Sequence, residues 1–298
     1  MSNPTRTILV DIELRLKKVG VPSPRFDAES LMAFSLGIER KRLGLQQEIT
    51  SDQLRILESL VEKRLRRVPL QHILGEQGFR RIVLNVGPGV FIPRPETELL
   101  VESAIRYLNE LASKPKIVFD LCAGSGAIAL SIACEVQNCE VIALEKSREA
   151  FVYLEKNLQA NSEKIIENNS SVKLVNADIS SNLDILNSYL TKVDAIVSNP
   201  PYIPDKMIPR EPEVKDFEPG MALFGGPDGL NVVREVLNIS DSFLKSRGFI
   251  GIEHADVQGS SVEETGVPYL IKQTNSYSKI EDRRDLNGVS RYTVAIKN

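Results

Sequence analysis

Ile117-Val118-Phe119-Asp120-Leu121-Cys122-Ala123-Gly124-Ser125-Gly126-Ala127 decides the fold. Its first half is an apolar run carrying one acid, which reads as a buried strand. Its second half is a tight turn of small residues that opens a helix over 127–136. Gly124 and Gly126 let a ligand approach the backbone, and the helix start offers N–H groups that the helix itself does not use. Strand, glycine turn and helix in that order form the first unit of a mainly parallel sheet with helices on both faces.

The same alternation continues outward. Strands are expected over 140–144, 172–175, 193–198 and 249–253, with tail strands near 278–280 and 292–296; helices are expected over 96–111, 147–159 and 230–244. The polar stretch 161–171 reads as a mobile surface loop. Residues 71–93 change character: Phe79, Ile82, Leu84 and Val86 alternate with polar residues, Gly87-Pro88-Gly89 reads as a turn, and Val90-Phe91-Ile92 resumes, so a β-hairpin is expected there. Residues 1–70 read as a small helical bundle. Its core is expected from Ile8, Leu9, Ile12, Leu14 and Leu16, then Leu31, Met32 and Phe34, then Leu54, Ile56, Leu57, Leu60, Val61 and Leu65, with Thr50 or Ser51 capping the third helix. The division is 1–70, 71–94 and 95–298.

The 298 residues, 42% hydrophobic and 26% charged, suit a soluble chain with ample core. A net charge of −3 supplies no global field to hold a phosphate backbone, so no nucleic-acid binding is expected. The local basic cluster Lys63, Arg64, Arg66 and Arg67 reads as a helix C-terminus complementing its dipole, ahead of a partner contact. Three cysteines without a C-x-x-C pair make no disulfide framework, and His72 and His254 are too few for a metal site. No stretch reads as a signal core or a membrane span. A cytoplasmic monomer is expected.

Functional residues gather at the strand ends. Gly124-Ser125-Gly126-Ala127-Ile128-Ala129 fits the dinucleotide fingerprint, with Glu145 about 20 residues on. Asp120, however, sits where a pyrophosphate would be repelled. It suits an ammonium group, reached directly or through water, and so favours S-adenosylmethionine. Glu145 can take two ribose hydroxyls; Asp178 can take an adenine amine, with Ile179 against the ring. The fourth strand runs into Asn199-Pro200-Pro201-Tyr202. Two prolines stiffen this corner and remove two donors, leaving the Pro200 carbonyl free beside the Asn199 amide. A planar NH2 group fits: one N–H to Asn199, one to Pro200, and Tyr202 on its flat face. Acids at strand ends also cap helices, which is the bland alternative for each of them taken singly.

The chain resembles the protein-(glutamine-N5) methyltransferases of peptide-chain release factors, called PrmC or HemK. The resemblance rests on Ile92-Pro93-Arg94-Pro95-Glu96-Thr97-Glu98, the loop at 120–126, Asn199 to Tyr202, Glu218-Pro219 with Ala222-Leu223, Gly225 to Leu230, and Asp285 to Gly288 with Arg291. It implies a helical N-terminal domain that recognises substrate, a hairpin linker and a seven-stranded Rossmann-like class I methyltransferase domain. It implies S-adenosylmethionine as donor and the glutamine of a Gly-Gly-Gln motif in a release factor as acceptor. Backbone around Cys122, Ala123, Gly124, Ser125 and Gly126 would hold the methionine part. The family usually has glycine where Cys122 stands, so a tighter pocket is expected. Arg94 and Glu96 are expected to shape the pocket mouth or to form an interdomain ion pair, and 218–230 to cover the cleft.

Two other classes compete. An adenine-N6 methyltransferase shares the amine-binding corner, but the acidic charge, 6% aromatic content and absence of Trp count against a base-stacking groove. A nicotinamide oxidoreductase accounts for the glycine loop and not for Asn199 to Tyr202. A binding module without catalysis has no use for Asn199 and Glu145 together.

Overall fold

The computed structural model describes residues 4–45, 48–112, 115–181, 183–260 and 265–298. Residues 1–3, 46 and 47 of the expected bundle lie outside them. The chain divides into two compact units: Met1–Glu76 with Pro209–Phe217, and Gln77–Ile208 with Glu218–Asn298.

The first unit is helical: α1 (Pro4–Lys18), α2 (Pro24–Leu36), a 3-10 turn (Arg40–Leu45), α3 (Ser51–Leu65), α4 (Leu70–Leu74) and, from much later in sequence, the short helix Pro212–Phe217. Ile12, Leu16, Leu31, Met32, Leu57 and Val61 make its dry centre. Leu14, Phe34 and Ile56, expected inside, are exposed. At about 100° per residue, Leu14 falls on the far side of α1 from both Ile12 and Leu16. Thr50 caps α3 in a reciprocal box with Gln53, each side chain bonding the other's backbone N–H (3.2 and 3.0 Å).

The basic cluster is not a simple dipole complement. Arg64 binds buried Asp27 (2.7 Å) and Glu213 (2.8 Å), and Arg67 binds Glu213 (2.6 Å). Burial raises the Asp27 pKa against the opposing pull of Arg64. Burial also works against the Glu213 charge, but its bonds to Arg67 and Arg64 outweigh that and lower its pKa.

A hairpin follows, β1 (Glu76–Phe79) and β2 (Ile82–Asn85), which belongs to the second unit from Gln77 on. Its turn is Arg80-Arg81, with Arg80 at φ +48° and bonded to Glu135 (2.7 Å) and Glu102 (2.8 Å). The expected turn at Gly87-Pro88-Gly89 is present, closed by Val90 N–H to Gly87 O at 3.3 Å, but it follows β2 and does not join the hairpin strands. Those glycines serve close packing: a Cβ at Gly89 would meet Glu149 at 2.7 Å, and one at Gly87 would strike Tyr153. Residues 90–92 form no strand, although Val90 and Ile92 are buried.

The main elements follow as α5 (Thr97–Glu110), β3 (Lys116–Leu121), α6 (Ala127–Glu135), β4 (Cys139–Glu145), α7 (Arg148–Ala160), α8 (Ser162–Glu167), β5 (Ser171–Asn176) and β6 (Val193–Ser198). After the Pro212–Phe217 helix (α9) come α10 (Gly220–Leu223), α11 (Asn231–Phe243), β7 (Leu244–Glu253), α12 (Gly266–Gln273), β8 (Tyr277–Arg284) and β9 (Ser290–Lys297). The stretch expected as a loop at 161–171 holds α8, because buried Ile165 anchors it to the core.

The seven strands run in the order β5-β4-β3-β6-β7-β9-β8, parallel through β7 and antiparallel beyond it. Alternate residues feed two cores. Val118, Val141, Ala195 and Phe249 face α5 and α6; Phe119, Ile142, Ile196 and Ile250 join the residues of α11 and α12. The chain moves outward from β3 to β5 and then returns to β6 on the other side of β3. That reversal opens a crevice at the carboxyl ends of β3 and β6, the place where such sheets bind ligands.

Asp120 ties this edge together. Its Oδ2 accepts from the Ala129 N–H at 2.9 Å, joining β3 to the first turn of α6, while Oδ1 is buried without a partner. Burial pushes its pKa up to about 7, with the Ala129 bond opposing and the Glu145 charge adding.

Two outcomes are expected. Arg64→Leu strands Asp27 without its cation and should lower unfolding free energy by roughly 3–5 kcal/mol; an unchanged urea midpoint would refute this. Asp120 binds its proton more tightly folded than unfolded, so its contribution to stability is present at low pH and lost as pH rises between about 4 and 7. Asp120→Asn should make the fall in urea midpoint over that window shallower. It should not abolish it, because buried Glu253, also pushed up to about 7, acts with the same sign. Parallel pH profiles of the two proteins would contradict the assignment.

Candidate active site

The carboxyl ends of the strands border a cavity of about 570 Å³, within the range of small-molecule sites. The glycine turn forms one wall. Cys122 stands in the left-handed region at φ +66°, as do Gly124 (+56°) and Gly126 (+89°). The two glycines differ in purpose. A Cβ at Gly124 would meet nothing within 4 Å, so the open space there belongs to the cavity; one at Gly126 would meet Leu154 at 2.6 Å, so that glycine serves packing. Cys122 takes a conformation that costs a side chain roughly 1–2 kcal/mol. Burial pushes its thiol well up, which keeps it protonated and inert.

Glu145, at the end of β4, holds the wall in place. One oxygen accepts from the Gly124 N–H (2.8 Å) and the other from the Ser147 N–H (2.7 Å). Burial raises its pKa against these bonds. Each oxygen keeps a lone pair for a further donor. Asp178, just past β5, accepts from Ser180 through Oδ1 (2.9 and 2.8 Å) and pairs with Lys146 through Oδ2 (2.6 Å). Partial burial opposes its charge, but Lys146 and Ser180 prevail and lower its pKa.

The cavity brings together Cys122, Ala123, Gly124, Ser125, Glu145, Asp178, Ile179, Asn199, Pro201 and Tyr202. It leaves out three residues that the sequence placed there. Asp120 lies fully buried behind the loop and bonds the α6 backbone, so for this acid the helix-capping alternative holds. Gly126 turns toward Leu154 and Leu130. Pro200 is buried and does not line the wall.

Further residues shape the site; of these, Arg94 and the stretch 218–230 were expected there, while Ile203, Gln258 and Glu253 were not singled out in the sequence. The segment after Tyr202 pairs with the glycine-rich stretch beyond it: Ile203 N–H to Leu223 O (2.8 Å), Gly225 N–H to Ile203 O (2.9 Å) and Asp205 N–H to Gly226 O (3.0 Å). A Cβ at Gly225 would collide with the Pro201 carbonyl, and one at Gly229 with the Tyr202 carbonyl. Gln258 donates to that Tyr202 carbonyl at 2.9 Å. Arg94, stacked on Phe91, pairs at 2.5 Å with Glu218, whose neighbours Pro219, Met221, Ala222 and Leu223 line the cavity. Thr97 accepts from the Asn199 Nδ2 at 3.3 Å. Glu253 ends β7, as the other acids end their strands, and that rule would have found it.

Among the described residues no group of His, Cys, Asp and Glu can hold a metal ion, and no helix is long and apolar enough to cross a membrane. The chain matches two family models, the PrmC N-terminal domain over residues 7–75 and the methyltransferase small domain over 95–210. A solved methyltransferase of T. thermophilus, RsmC, shares 18% identity with it, at a TM-score of 0.51 over 75% of this chain and 50% of that one; this likeness concerns the fold alone. The release factor glutamine methyltransferase of Mycolicibacterium smegmatis is 37% identical over 98% of this chain and 97% of its own. That of Streptomyces coelicolor is 38% identical over 95% and 94%. These full-length similarities and the seven-stranded fold agree: the chain belongs to the release factor glutamine methyltransferases.

Proposed function

We propose that this enzyme transfers a methyl group from S-adenosylmethionine to the side-chain nitrogen, N5, of the glutamine in the Gly-Gly-Gln motif of a release factor. The observation that carries the reading is Asn199 on the wall of the same cavity as the glycine turn, Glu145 and Asp178. The residues fit the donor. Open space at Gly124 accepts its methionine part, Glu145 retains lone pairs for two ribose hydroxyls, and Asp178 with Ile179 suits an adenine ring and its amine. Bound there, S-adenosylmethionine supplies an electrophilic methyl on a sulfonium.

The protein's own work is positioning. An amide nitrogen is a poor nucleophile because its lone pair is shared with its carbonyl. Holding it in line can contribute about 7–11 kcal/mol of barrier reduction in favourable cases. Asn199 Oδ1 accepts one N–H of the substrate amide and stabilises the positive charge that grows on nitrogen as the N–C bond forms and the S–C bond breaks to leave a neutral thioether; the methylated nitrogen then loses its second proton to water. Tyr202 packs on the flat face. Pro200 and Pro201 keep the corner rigid, and the hydrogen bonds at Ile203 and Gly225 hold it from behind. The helical unit recognises the body of the release factor. The enzyme works as a monomer in the cytoplasm and needs no nucleic acid.

Asn199→Ala should lower kcat on a full-length release factor by about 10²–10³-fold, the range for loss of one group that stabilises transition-state charge. Its Kd for S-adenosylmethionine should change only a few-fold. Mass spectrometry of the Gly-Gly-Gln peptide, seeking a single added methyl, together with calorimetric titration of the donor checks both. Near-normal turnover in that variant would sink the reading.

A further inference from the structure

We infer that Glu253, acting through Thr97, is a positioning residue that fixes which end of the Asn199 amide faces the substrate. This deepens the proposed function and rests on its assignment of Asn199.

The arrangement follows from sheet register and helix packing. Ser198 on β6 lies opposite Ile252 on β7, so Asn199 and Glu253 leave two neighbouring parallel strands side by side. Helix α5 crosses above them. A Cβ at Gly251 would meet Leu100 Cδ1 at 2.7 Å, so a glycine at this point lets α5 come close. Leu100 and Thr97 share one face of α5, three residues apart, while Gly251 and Glu253 share one face of the sheet. The close approach at Gly251 therefore sets Thr97 over Glu253. Thr97 and Glu253 are both almost wholly buried, at 2% and 3% exposure, and water does not compete for their bonds.

With Glu253 ionised, the hydrogen-bond accounting has one consistent solution. Thr97 has a single hydroxyl hydrogen. An ionised carboxyl only accepts, so the Thr97 hydroxyl, set beside Glu253 by the strand register and the close approach at Gly251, is the donor of that pair. The Thr97 oxygen is left with lone pairs, one of which takes the Asn199 Nδ2 hydrogen at 3.3 Å. The NH2 end of Asn199 is thereby turned toward α5 and Oδ1 is offered to the cavity. Without an acceptor at 253 the Thr97 hydrogen is free to turn to Asn199 Oδ1. The amide then flips and presents NH2 to the substrate NH2, donor against donor. The second carboxyl oxygen of Glu253, Oε2, is buried with no partner, so this acid is held at a cost that no packing role explains.

The test compares Thr97→Val, Thr97→Ser and Glu253→Leu with Asn199→Ala, using full-length release factor and S-adenosylmethionine. Thr97→Val and Glu253→Leu should lower kcat by about 10- to 100-fold, the scale of a misplaced reacting group. The Kd for S-adenosylmethionine and the KM for release factor should stay close to wild type. Thr97→Ser, which keeps the hydroxyl, should restore most of the turnover. The Thr97→Val, Glu253→Leu double variant should be no slower than the slower single one, since both break one chain. Wild-type kcat in Thr97→Val, with Asn199→Ala inactive, would overturn this inference and leave the proposed function standing. Full activity in Asn199→Ala would overturn both. Should Glu253→Leu fail to fold, the Val and Ser variants at 97 decide.

Discussion

The hydrogen bond from the Ala129 amide to Asp120 ties the end of the central strand to the helix that follows it, and the cavity takes its shape from that tie. β3 is paired on both sides, with β4 and with β6, so its end cannot shift. With α6 held at its first turn, the chain between must double back within five residues. That forces left-handed backbone at 122, 124 and 126. Two of these positions are glycine; the third is Cys122, which bears the strain. The tie itself is unfavourable for a charge. Asp120 has one oxygen unpartnered in a dry interior, and its pKa rises accordingly. Rigidity at the loop is thus obtained from a group that costs stability near neutral pH, a common condition of functional sites.

The opposite wall is held by backbone rather than by charge. The segment after Tyr202 runs against the stretch from Leu223 to Gly226 through three main-chain bonds, and both chains come close because Gly225 and Gly229 have no Cβ. Gln258 adds a side-chain bond to the Tyr202 carbonyl. Charge fixes the cover at the Arg94–Glu218 pair, where Glu218 is almost fully buried, and at the exposed Asp228–Arg234 pair. Burial raises the Glu218 pKa against the pull of Arg94, so that pair is a directed link rather than a strong source of stability.

Much of this was legible in the sequence because parallel strands covered on both faces read as short continuous apolar runs, while the helices between them keep a 3.6-residue period. The strands of the parallel core were placed to within a few residues, and so was the turn from Leu121 to Ala127. Local patterns failed where a distant partner decides. Gly87 and Gly89 form the turn they suggest, but it does not close the hairpin, and their smallness answers also to Tyr153 and Glu149 on α7. The segment 161–171 looks too polar to fold, yet a single Ile165 suffices to seat a helix. Residues 209–217 carry no mark that they leave one unit and join the other through Glu213, because two arginines 146 and 149 positions earlier in sequence supply the reason. At the site, the sequence names residues by type, and type does not give direction. Asp120 and Glu145 end adjacent strands with the same chemistry, but one side chain turns back to cap α6 and the other forward to the cavity.

Direction is what a buried polar site must control, and hydrogen-bond supply controls it. Glu145 is aimed by two backbone donors, Asp178 by Ser180 and Lys146, and the Tyr202 carbonyl by Gln258. Asn199 differs, because an amide has two ends of nearly equal shape and packing alone cannot choose between them. The choice needs a neighbour whose own hydrogen is already committed. In the inferred arrangement Thr97 is such a neighbour only while an acid at 253 accepts from it, and Glu253 thereby sets the polarity of Asn199.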